Sequence, residues 1–330
     1  MASVTTHPEI DASVQIGTEE LERHRRELTG YCYRMLGSVF DADDAVQETM
    51  VRAWRGLDGF EGRSGMRSWL YRIATNVCLD MLRGRQRRAR PMDLGPSSTT
   101  EAFAGEMLGE AAWVQPMPDG RVLLADGDPA ELAASRESVR LAFIAALQHL
   151  PARQRAVLIL REVLAWQAAE VAELLDTSVA SVNSALQRAR ATLAARDPDA
   201  SGPAAVAADQ KALLARYVDA FERYDITSLV SLLHEDAVMS MPPYDFWLRG
   251  SAEMGRWFLG PGIGCRGSRL MAITANGCPA FGSYRPDENG GYAPFAIQVI
   301  EISGDRIAGY HNFVDPALFA AFGLPARIGP

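Results

Sequence analysis

Apolar residues recur at helical spacing through two long stretches of this chain, and strands enter only in its last third. Residues 18–90 and 131–196 have the three- and four-residue spacing of amphipathic helices. Residues 91–130 are rich in Pro, Gly, Ser and acidic residues and have little periodicity, which predicts an acidic flexible linker; the short stretch 197–203 is predicted to be a second linker. Residues 205–324 mix helices with short strands. The pattern predicts a multidomain protein, with two all-α domains followed by an α+β domain.

The first all-α block, residues 18–90, contains a helix that is predicted to begin after Asp41, which can cap it. Small and apolar residues from Ala45 to Trp54 recur at helical spacing and predict one buried face. The opposite face of this helix carries Asp44, Gln47, Glu48 and Arg52. Taken alone, a polar face of this kind is most often in contact with solvent only.

A second helix is predicted from about Met66 to Arg88, and its polar side is strongly basic. The whole chain has a net charge of −8, yet residues 61–90 hold eight Arg against two acidic residues, whereas residues 101–131 hold seven acidic residues against one Arg. Because clustered arginines repel one another, they favour an anionic partner such as nucleic acid over a solvated face. The candidates for this contact are Arg72, Asn76, Arg83, Arg87 and Arg88.

The second all-α block ends in two helices, at about 167–175 and 179–195, that flank the turn Asp176-Thr177-Ser178. Two helices joined by a short polar turn indicate a helix-turn-helix. Apolar residues from Val179 to Leu193 keep three-four spacing and are predicted to face the core. The small polar and basic residues that suit a major groove are Ser178, Ser181, Ser184, Gln187 and Arg188. Many helical pairs share this spacing, so a purely structural pair stays open at this point.

Four short sequences, DADDAVQET, WLYRIATN, LPARQR and SALQRARATL, carry a resemblance to a known family. With them, residues 18–90 resemble region 2, and residues 131–196 resemble region 4, of the extracytoplasmic-function (ECF) sigma factors of bacterial RNA polymerase. The two blocks cover about 140 residues in the family's order, with a linker between them. The linker of about 40 residues is long and acidic for this family.

The resemblance implies a role for each face. The face with Asp44 would dock on the clamp helices of the largest subunit of core RNA polymerase. The basic helix with Arg72 would recognise and open the minus-ten promoter element, with a flipped base held near residues 61–64. The helix from Val179 would read the minus-thirty-five element in the major groove. The acidic linker would thread the channels of the polymerase.

The last block, residues 205–324, resembles SnoaL-like domains, in which a sheet wraps a helix to form a cone with an internal pocket. The stretch LLARYVDAFERYDITSLVSLLHEDAVMSMPPYDFWLRG carries this resemblance. Some relatives of that fold are isomerases or cyclases that need a general base, for which the candidates are Asp245, His234 and His311. The possible pocket residues are Tyr244, Trp247, Tyr310 and His311. A ligand-sensing pocket and a folded module without a ligand are the alternatives to catalysis.

Together these features predict a sigma factor that is not itself an enzyme and whose C-terminal domain regulates its activity. The alternatives are a bifunctional protein with an enzymatic C-terminal domain, and a helix-turn-helix repressor, which would leave the region 2 block unexplained. The expected partners are core polymerase and promoter DNA, with any anti-sigma factor or small ligand unidentified, and no cofactor or metal is expected. No apolar run reaches the roughly 18 residues that span a bilayer, and no signal peptide begins the chain, so a cytoplasmic protein without a membrane partner is expected.

Overall fold

The computed structural model describes residues 19–60, 65–103, 105, 107–123, 128–195, 208–288 and 290–329. The predicted base pocket at residues 61–64 and the predicted linker at 197–203 lie outside the described residues. We refer to residues 19–90 as the first helical domain, 91–123 as the connecting segment, 128–195 as the second helical domain and 208–329 as the C-terminal domain.

Amphipathic helices form both helical domains, as the apolar spacing predicts. In chain order the helices are α1 (Arg25–Leu36), α2 (Val39–Gly56), α3 (Met66–Met81), the short α4 (Asp119–Val122) of the connecting segment, α5 (Pro129–Glu137), α6 (Leu141–Gln148), α7 (Ala152–Leu158), α8 (Ala168–Leu174) and α9 (Val179–Ala194). A π-helical turn, Ile159–Val163, extends α7, and short 3-10 turns lie at Leu57–Gly59, Pro91–Asp93, Thr100–Ala102 and Glu110–Ala112. None of the helices in the described part of the chain is long and apolar enough to cross a lipid bilayer.

Helix α2 begins three residues before the predicted start. Ser38, in extended backbone, is the N-cap, and its Oγ accepts a hydrogen bond from the Asp41 N–H at 3.2 Å. Asp41 therefore lies inside the first turn, where its carboxylate complements the helix dipole. The prediction that Trp54 is buried is wrong, because Ala53 takes the buried position at that turn and the Trp54 side chain is 57% exposed.

Helix α3 ends at Met81, seven residues before the predicted end. Gly84 follows with φ +72°, a left-handed conformation that suits glycine and turns the chain away from the helix axis. The basic residues beyond Gly84 therefore do not continue the helical face that carries Arg72 and Asn76. This turn decides which arginines reach the surface.

The C-terminal domain folds into a curved six-stranded sheet around one long helix. Its elements are α10 (Ala208–Arg223), α11 (Ile226–Ser231), β1 (Leu233–Ser240), β2 (Trp247–Arg249), α12 (Ser251–Leu259), a 3-10 turn (Pro261–Cys265), β3 (Arg269–Ala275), β4 (Cys278–Pro286), β5 (Tyr292–Ser303), β6 (Arg306–Phe313) and α13 (Leu318–Ala321). The strand order is β2-β1-β6-β5-β4-β3, antiparallel except for the parallel pair β1–β6. Tyr217 of α10 packs on Phe281 of β4 and donates a hydrogen bond to Gln298 of β5 at 2.6 Å, so the sheet wraps this helix.

The connecting segment contacts both the first helical domain and the C-terminal domain, in contrast to the flexible linker that its composition predicts. The Ser98 N–H donates to the Trp247 carbonyl at 2.8 Å, and the Leu108 N–H donates to a carbonyl of the C-terminal domain at 2.9 Å. In the other direction, the Gln115 N–H donates to the Gly37 carbonyl at 2.9 Å. Because this segment forms no long helix or strand, many of its backbone N–H and C=O groups form hydrogen bonds with neighbouring domains instead.

One buried asparagine joins the C-terminal domain to the other three parts of the chain. Asn276, at the end of β3, donates from Nδ2 to the Val139 carbonyl at 2.6 Å and to the Tyr33 hydroxyl at 2.7 Å. Its Oδ1 accepts from the Met117 N–H at 2.8 Å. The Tyr33 hydroxyl in turn donates to the Gln115 carbonyl at 2.8 Å. Both helical domains and the connecting segment therefore meet at one amide.

Buried arginines hold the two helical domains against each other. Arg155 of α7 donates to the Met35 carbonyl of α1 and to the Leu150 carbonyl, the latter at 3.1 Å. Arg34 of α1 donates to the carbonyl and hydroxyl of Ser138, at 3.1 and 2.6 Å. Burial lowers the pKa of both guanidinium groups, to about 10, which still leaves them charged at neutral pH. These contacts give the two domains one continuous core.

Candidate nucleic-acid interface

The outer face of α2 is an exposed polar row beside an apolar groove. Asp44, Gln47, Glu48 and Arg52 are all exposed, as the sequence predicts. The Arg52 Nε donates to Glu48 at 2.6 Å, one helical turn earlier. Met50, Val51 and Trp54 line a surface groove of about 260 Å³ next to this row. The sequence analysis missed Trp54, although a large aromatic side chain at the end of an amphipathic stripe was the available signal.

The basic face of the first helical domain points towards the second helical domain. The Arg72 Nη2 donates to the Glu173 carbonyl at 3.3 Å and lies 3.7 Å from the Glu173 carboxylate. The Arg87 Nη1 lies 2.5 Å from the His149 Nδ1. Asn76 and Arg83 are exposed, and the Arg83 side chain keeps 81% of its surface in contact with solvent. Two of the predicted DNA contacts are therefore engaged with the second helical domain here.

Arg88, predicted to contact DNA, has a structural role in this arrangement. Its side chain is 8% exposed, its Nη2 donates to Asp41 at 2.7 Å, and its Nη1 donates to the Trp113 carbonyl at 2.7 Å. Arg85 donates to the same Asp41 oxygen at 2.8 Å. Arg88 is buried because the turn at Gly84 directs the chain back along α2. It ties the connecting segment to the first helical domain through two of its guanidinium nitrogens.

A basic cleft of about 800 Å³ opens between the two helical domains. Arg85, Arg87, Arg88 and Arg155 line it, with Asp41 as the acidic residue among its lining side chains. Arginine prefers the planar, bidentate contacts that phosphate offers. The cleft therefore gives the first helical domain a positive surface next to the exposed Arg83.

Helix α9 presents the predicted recognition face to solvent. Ser178 caps the helix by accepting from the Ser181 N–H at 3.1 Å, so the turn and the helix start are fixed together. The predicted contact residues Ser178, Ser181, Ser184, Gln187 and Arg188 are all exposed or half-buried at the surface. Val182 and Leu186 are buried, but Val179 is 43% exposed, because the first helical position lies ahead of the core. The arrangement leaves one polar face free to enter a groove.

The cone of the C-terminal domain encloses a cavity of about 190 Å³. Tyr244 and Tyr310 line it, whereas Trp247 and His311 do not. Adjacent residues of a strand point to opposite faces, so Tyr310 and His311 of β6 cannot both face the cavity. The His311 Nδ1 lies 2.8 Å from the Ser240 hydroxyl on the other side of the sheet, and the Trp247 Nε1 donates to the Gly95 carbonyl at 3.0 Å.

The general-base candidates do not reach this cavity. Asp245 and His234 are exposed, and neither lines it. Among the described residues, no carboxylate and no histidine faces the cavity. The cavity therefore offers polar groups that can bind a ligand, but among the described residues it has no carboxylate or histidine that could act as a general base.

Phe103 and Arg285 are among the cavity residues that the sequence analysis missed. Phe103 of the connecting segment supplies one wall, with its ring edge-on to Tyr244, Phe246 and Trp257 at centroid distances of 5.4, 4.9 and 4.9 Å. Arg285 of β4 supplies the cation among the lining side chains. A phenylalanine in a segment predicted to be a linker gave no signal, because its partners lie about 140 residues later in the chain.

Comparison with known proteins identifies relatives along nearly the whole chain. Residues 21–88 match the family model of Sigma-70 region 2, and residues 140–193 match that of Sigma-70, region 4. The ECF RNA polymerase sigma factor SigG of Mycobacterium tuberculosis H37Rv is 45% identical over 310 residues, covering 92% of this chain and 82% of SigG. SigJ of the same organism is 28% identical over 320 residues, covering 93% of this chain and 95% of SigJ. The crystal structure of M. tuberculosis SigJ matches with a TM-score of 0.60 and 25% identity, over 93% of this chain and 99% of that one.

The different placements of Arg88 and Arg83 predict different effects on stability. Arg88→Met should lower the Tm by about 2–8 °C, because it leaves Asp41 and the Trp113 carbonyl short of a donor, at a cost of roughly 1–3 kcal/mol. Arg83→Met should leave the Tm within about 1–2 °C of the parent, since exposed substitutions rarely exceed 0.5 kcal/mol. Thermal unfolding followed by circular dichroism checks both, and equal shifts would contradict the assignment.

Proposed function

This chain belongs to the extracytoplasmic-function (ECF) sigma factors of RNA polymerase, and from that membership we propose which of its surfaces meet the polymerase and which meet the promoter. As a sigma factor it recognises promoter elements for core RNA polymerase, and it is not an enzyme. The alternative of an enzymatic C-terminal domain finds no support. A cytoplasmic location follows from these partners.

The outer face of α2 is the proposed contact with the clamp helices of the largest polymerase subunit. The exposed polar row and the groove beside Trp54 lie together on one side of the helix, away from the second helical domain. Interfaces commonly combine an exposed aromatic anchor with a polar rim, and this pair provides both. The face is also free in the present arrangement, so polymerase could dock before the helical domains separate.

Two helices are the proposed promoter readers. Helix α9 would enter the major groove at the minus-thirty-five element with its polar face, led by Ser181, Ser184 and Arg188. The basic face of α3, with Arg72 and Asn76, and the arginines beyond it, Arg83 and Arg87, would hold the opened minus-ten element. Arginine contacts to phosphate and exposed bases suit single-strand capture. Arg88 is left out of this set because it is buried.

The arrangement of the two helical domains carries a further proposal, that this is a closed state. The two promoter elements are about 25 base pairs apart, which is roughly 85 Å along B-DNA at 3.4 Å per base pair. Here α3 touches α8 through Arg72 and Glu173, and α9 packs directly beside α8. Helices this close cannot read both elements at once. The two helical domains must therefore separate before both promoter elements can be bound.

The C-terminal domain is the proposed regulator of that separation. Asn276 binds both helical domains and the connecting segment, and the Gly277 N–H donates to Asp119 at 2.8 Å. Opening the sigma domains would break these bonds in a buried setting, where an unpaired polar group costs about 1–3 kcal/mol. The domain would thus favour the closed state from within the chain. An inhibitory protein partner or a small ligand could act on the same equilibrium.

The polymerase face can be tested by charge reversal. The double variant Asp44→Arg, Glu48→Arg should weaken binding to core RNA polymerase by about tenfold or more, because like charges across an interface are unfavourable. The matched control is Glu235→Arg, Asp236→Arg, two exposed acids of the C-terminal domain. Affinity is measured by fluorescence anisotropy of labelled protein with core enzyme. Equal affinities for the two double variants, with unchanged helicity, would rule out this face.

The recognition helix can be tested within the holoenzyme. Arg188→Ala should weaken binding to promoter duplex by about 1–3 kcal/mol for each base that Arg188 reads, and it should relax the preference for the minus-thirty-five sequence. Arg190→Ala is the control on the same helix, since Arg190 is also exposed but is ion-paired with Glu162 at 2.5 Å and lies on a different side of the helix from Arg188. Arg83→Ala and Arg87→Ala should instead weaken binding for all sequences and lower the salt dependence. If Arg188→Ala keeps full sequence preference, α9 is not the reader.

Loosening the closed state should raise promoter output. Asn276→Ala removes the amide that both helical domains share, so the open state should gain population and run-off transcription from a cognate promoter should rise several-fold. Lys211→Ala, an exposed change in α10 of the same domain, is the control and should leave the output unchanged. The readout is transcription with limiting sigma factor, together with circular dichroism to show that the variant is folded. A folded Asn276→Ala variant with unchanged or lower output would contradict an inhibitory role.

A further inference from the structure

The cavity of the C-terminal domain combines aromatic walls with a cation, Arg285, that has no anionic partner among the described residues. Phe103, Trp257 and Phe258 are among the apolar side chains that line its volume of about 190 Å³. The polar groups that face it include Arg285, Tyr310 and Asn312, and within the described residues no acidic side chain does. An apolar pocket with a few convergent polar groups is the usual form of a small-molecule site.

Arg285 has no anionic partner within the described part of the chain. Its Nη2 donates to the Cys265 thiol at 3.2 Å, a weak acceptor, and its guanidinium lies over the Phe295 ring at 3.3 Å from the centroid. Its Nε is buried and makes no hydrogen bond to a described residue. Because Arg285 is half-buried and has no counter-charge among the described residues, its positive charge favours an anion at this site.

The other two polar groups can complete the binding of a carboxylate. The Gln298 Nε2 donates to the Tyr310 hydroxyl at 2.9 Å, so this bond does not use the hydroxyl proton of Tyr310, which a carboxylate would compete for with the neighbouring Tyr217 hydroxyl. Asn312 is 5% exposed, and among the described residues its side chain forms no hydrogen bond. A carboxylate accepts several hydrogen bonds and carries one charge, which matches one guanidinium and two neutral donors.

We propose that this cavity binds a small aromatic monocarboxylate, with the carboxylate bound by Arg285 and the ring held among Phe103, Trp257 and Phe258. The volume supports one ring, since an apolar protein cavity of about 150 Å³ accepts benzene. The stacked position of Arg285 on Phe295 fixes the guanidinium plane, so the anion is held in one orientation. The assignment stands apart from the sigma function, because it needs neither polymerase nor promoter.

The position of Phe103 links this site to the connecting segment. The Thr100 N–H, three residues earlier, donates to Glu253 of α12 at 2.6 Å, which holds the ring of Phe103 at the cavity wall. A ligand larger than one ring would have to displace Phe103. Phe103 therefore sets the upper limit of ligand size.

The test is calorimetric titration of the full chain with sodium benzoate and, separately, with benzyl alcohol as a neutral analogue. Benzoate should bind at least about tenfold more tightly than benzyl alcohol. Arg285→Met should remove this preference, because it keeps apolar volume and loses the charge. Arg249→Met is the control, since Arg249 also lies over an aromatic ring, that of Trp247, but is exposed and does not line the cavity. Absence of benzoate binding up to its solubility limit, or equal benzoate affinity in Arg285→Met and Arg249→Met, would overturn the proposal.

A second variant keeps the proposal testable if Arg285→Met does not fold. Phe103→Ala should accept 2-naphthoate, which the parent protein should bind at least about tenfold more weakly. Benzoate should also slow alkylation of Cys265 by iodoacetamide in the parent protein, followed by peptide mass spectrometry, because Cys265 lines the cavity and the other three cysteines are buried. Unchanged alkylation in the presence of benzoate, or equal naphthoate binding by both proteins, would place any binding elsewhere.

Discussion

The arrangement of this protein depends on the hydrogen bonds of one buried amide, that of Asn276. Its side chain is satisfied only when a carbonyl of the second helical domain, a hydroxyl of the first and an N–H of the connecting segment are all in place. Its backbone φ of +54° is a conformation that asparagine tolerates better than most residues. Because the site is inaccessible to solvent, partial loss of these bonds leaves polar groups unpaired. The four parts of the chain are therefore held together jointly at this position.

The close packing of the two helical domains also determines which charged side chains are exposed to solvent. Arg34, Arg88 and Arg155 become internal ties, bonded largely to backbone carbonyls and, in the case of Arg88, to a carboxylate, while Arg83 remains in solvent. The basic side of α3 is turned towards the second helical domain, yet the outer faces of α2 and α9 stay exposed. On the assignment proposed above, this asymmetry would permit docking to the polymerase and reading of one promoter element while it hinders capture of the other. The proposed restraint on opening would then lie in the protein's own C-terminal domain.

The connecting segment links the C-terminal domain to the first helical domain by contacts along its length. One end of it bonds to the first helical domain through Gln115 and to the C-terminal domain through Met117, and its middle places Phe103 in the wall of the cone. No carboxylate or histidine is present among the described cavity residues. One wall of the cavity belongs to the segment that also contacts the sigma domains. A ligand bound there, as proposed above, would shift the position of the segment by no more than its differential affinity for the two states.

The sequence by itself determined the two helical domains, the α+β domain and the sigma family, because apolar periodicity and short motifs are local properties. It also identified the exposed rows of α2 and α9, since helical spacing decides which side chains share a face. It could not separate Arg88 from Arg83, because burial depends on the turn at Gly84 and on Asp41, more than forty residues earlier. The prediction that both Tyr310 and His311 line the pocket was avoidable, because adjacent residues of a strand point to opposite faces of the sheet. The contacts of Phe103, Asn276 and the connecting segment were decided only by tertiary structure, because they join residues far apart in sequence that no local pattern relates.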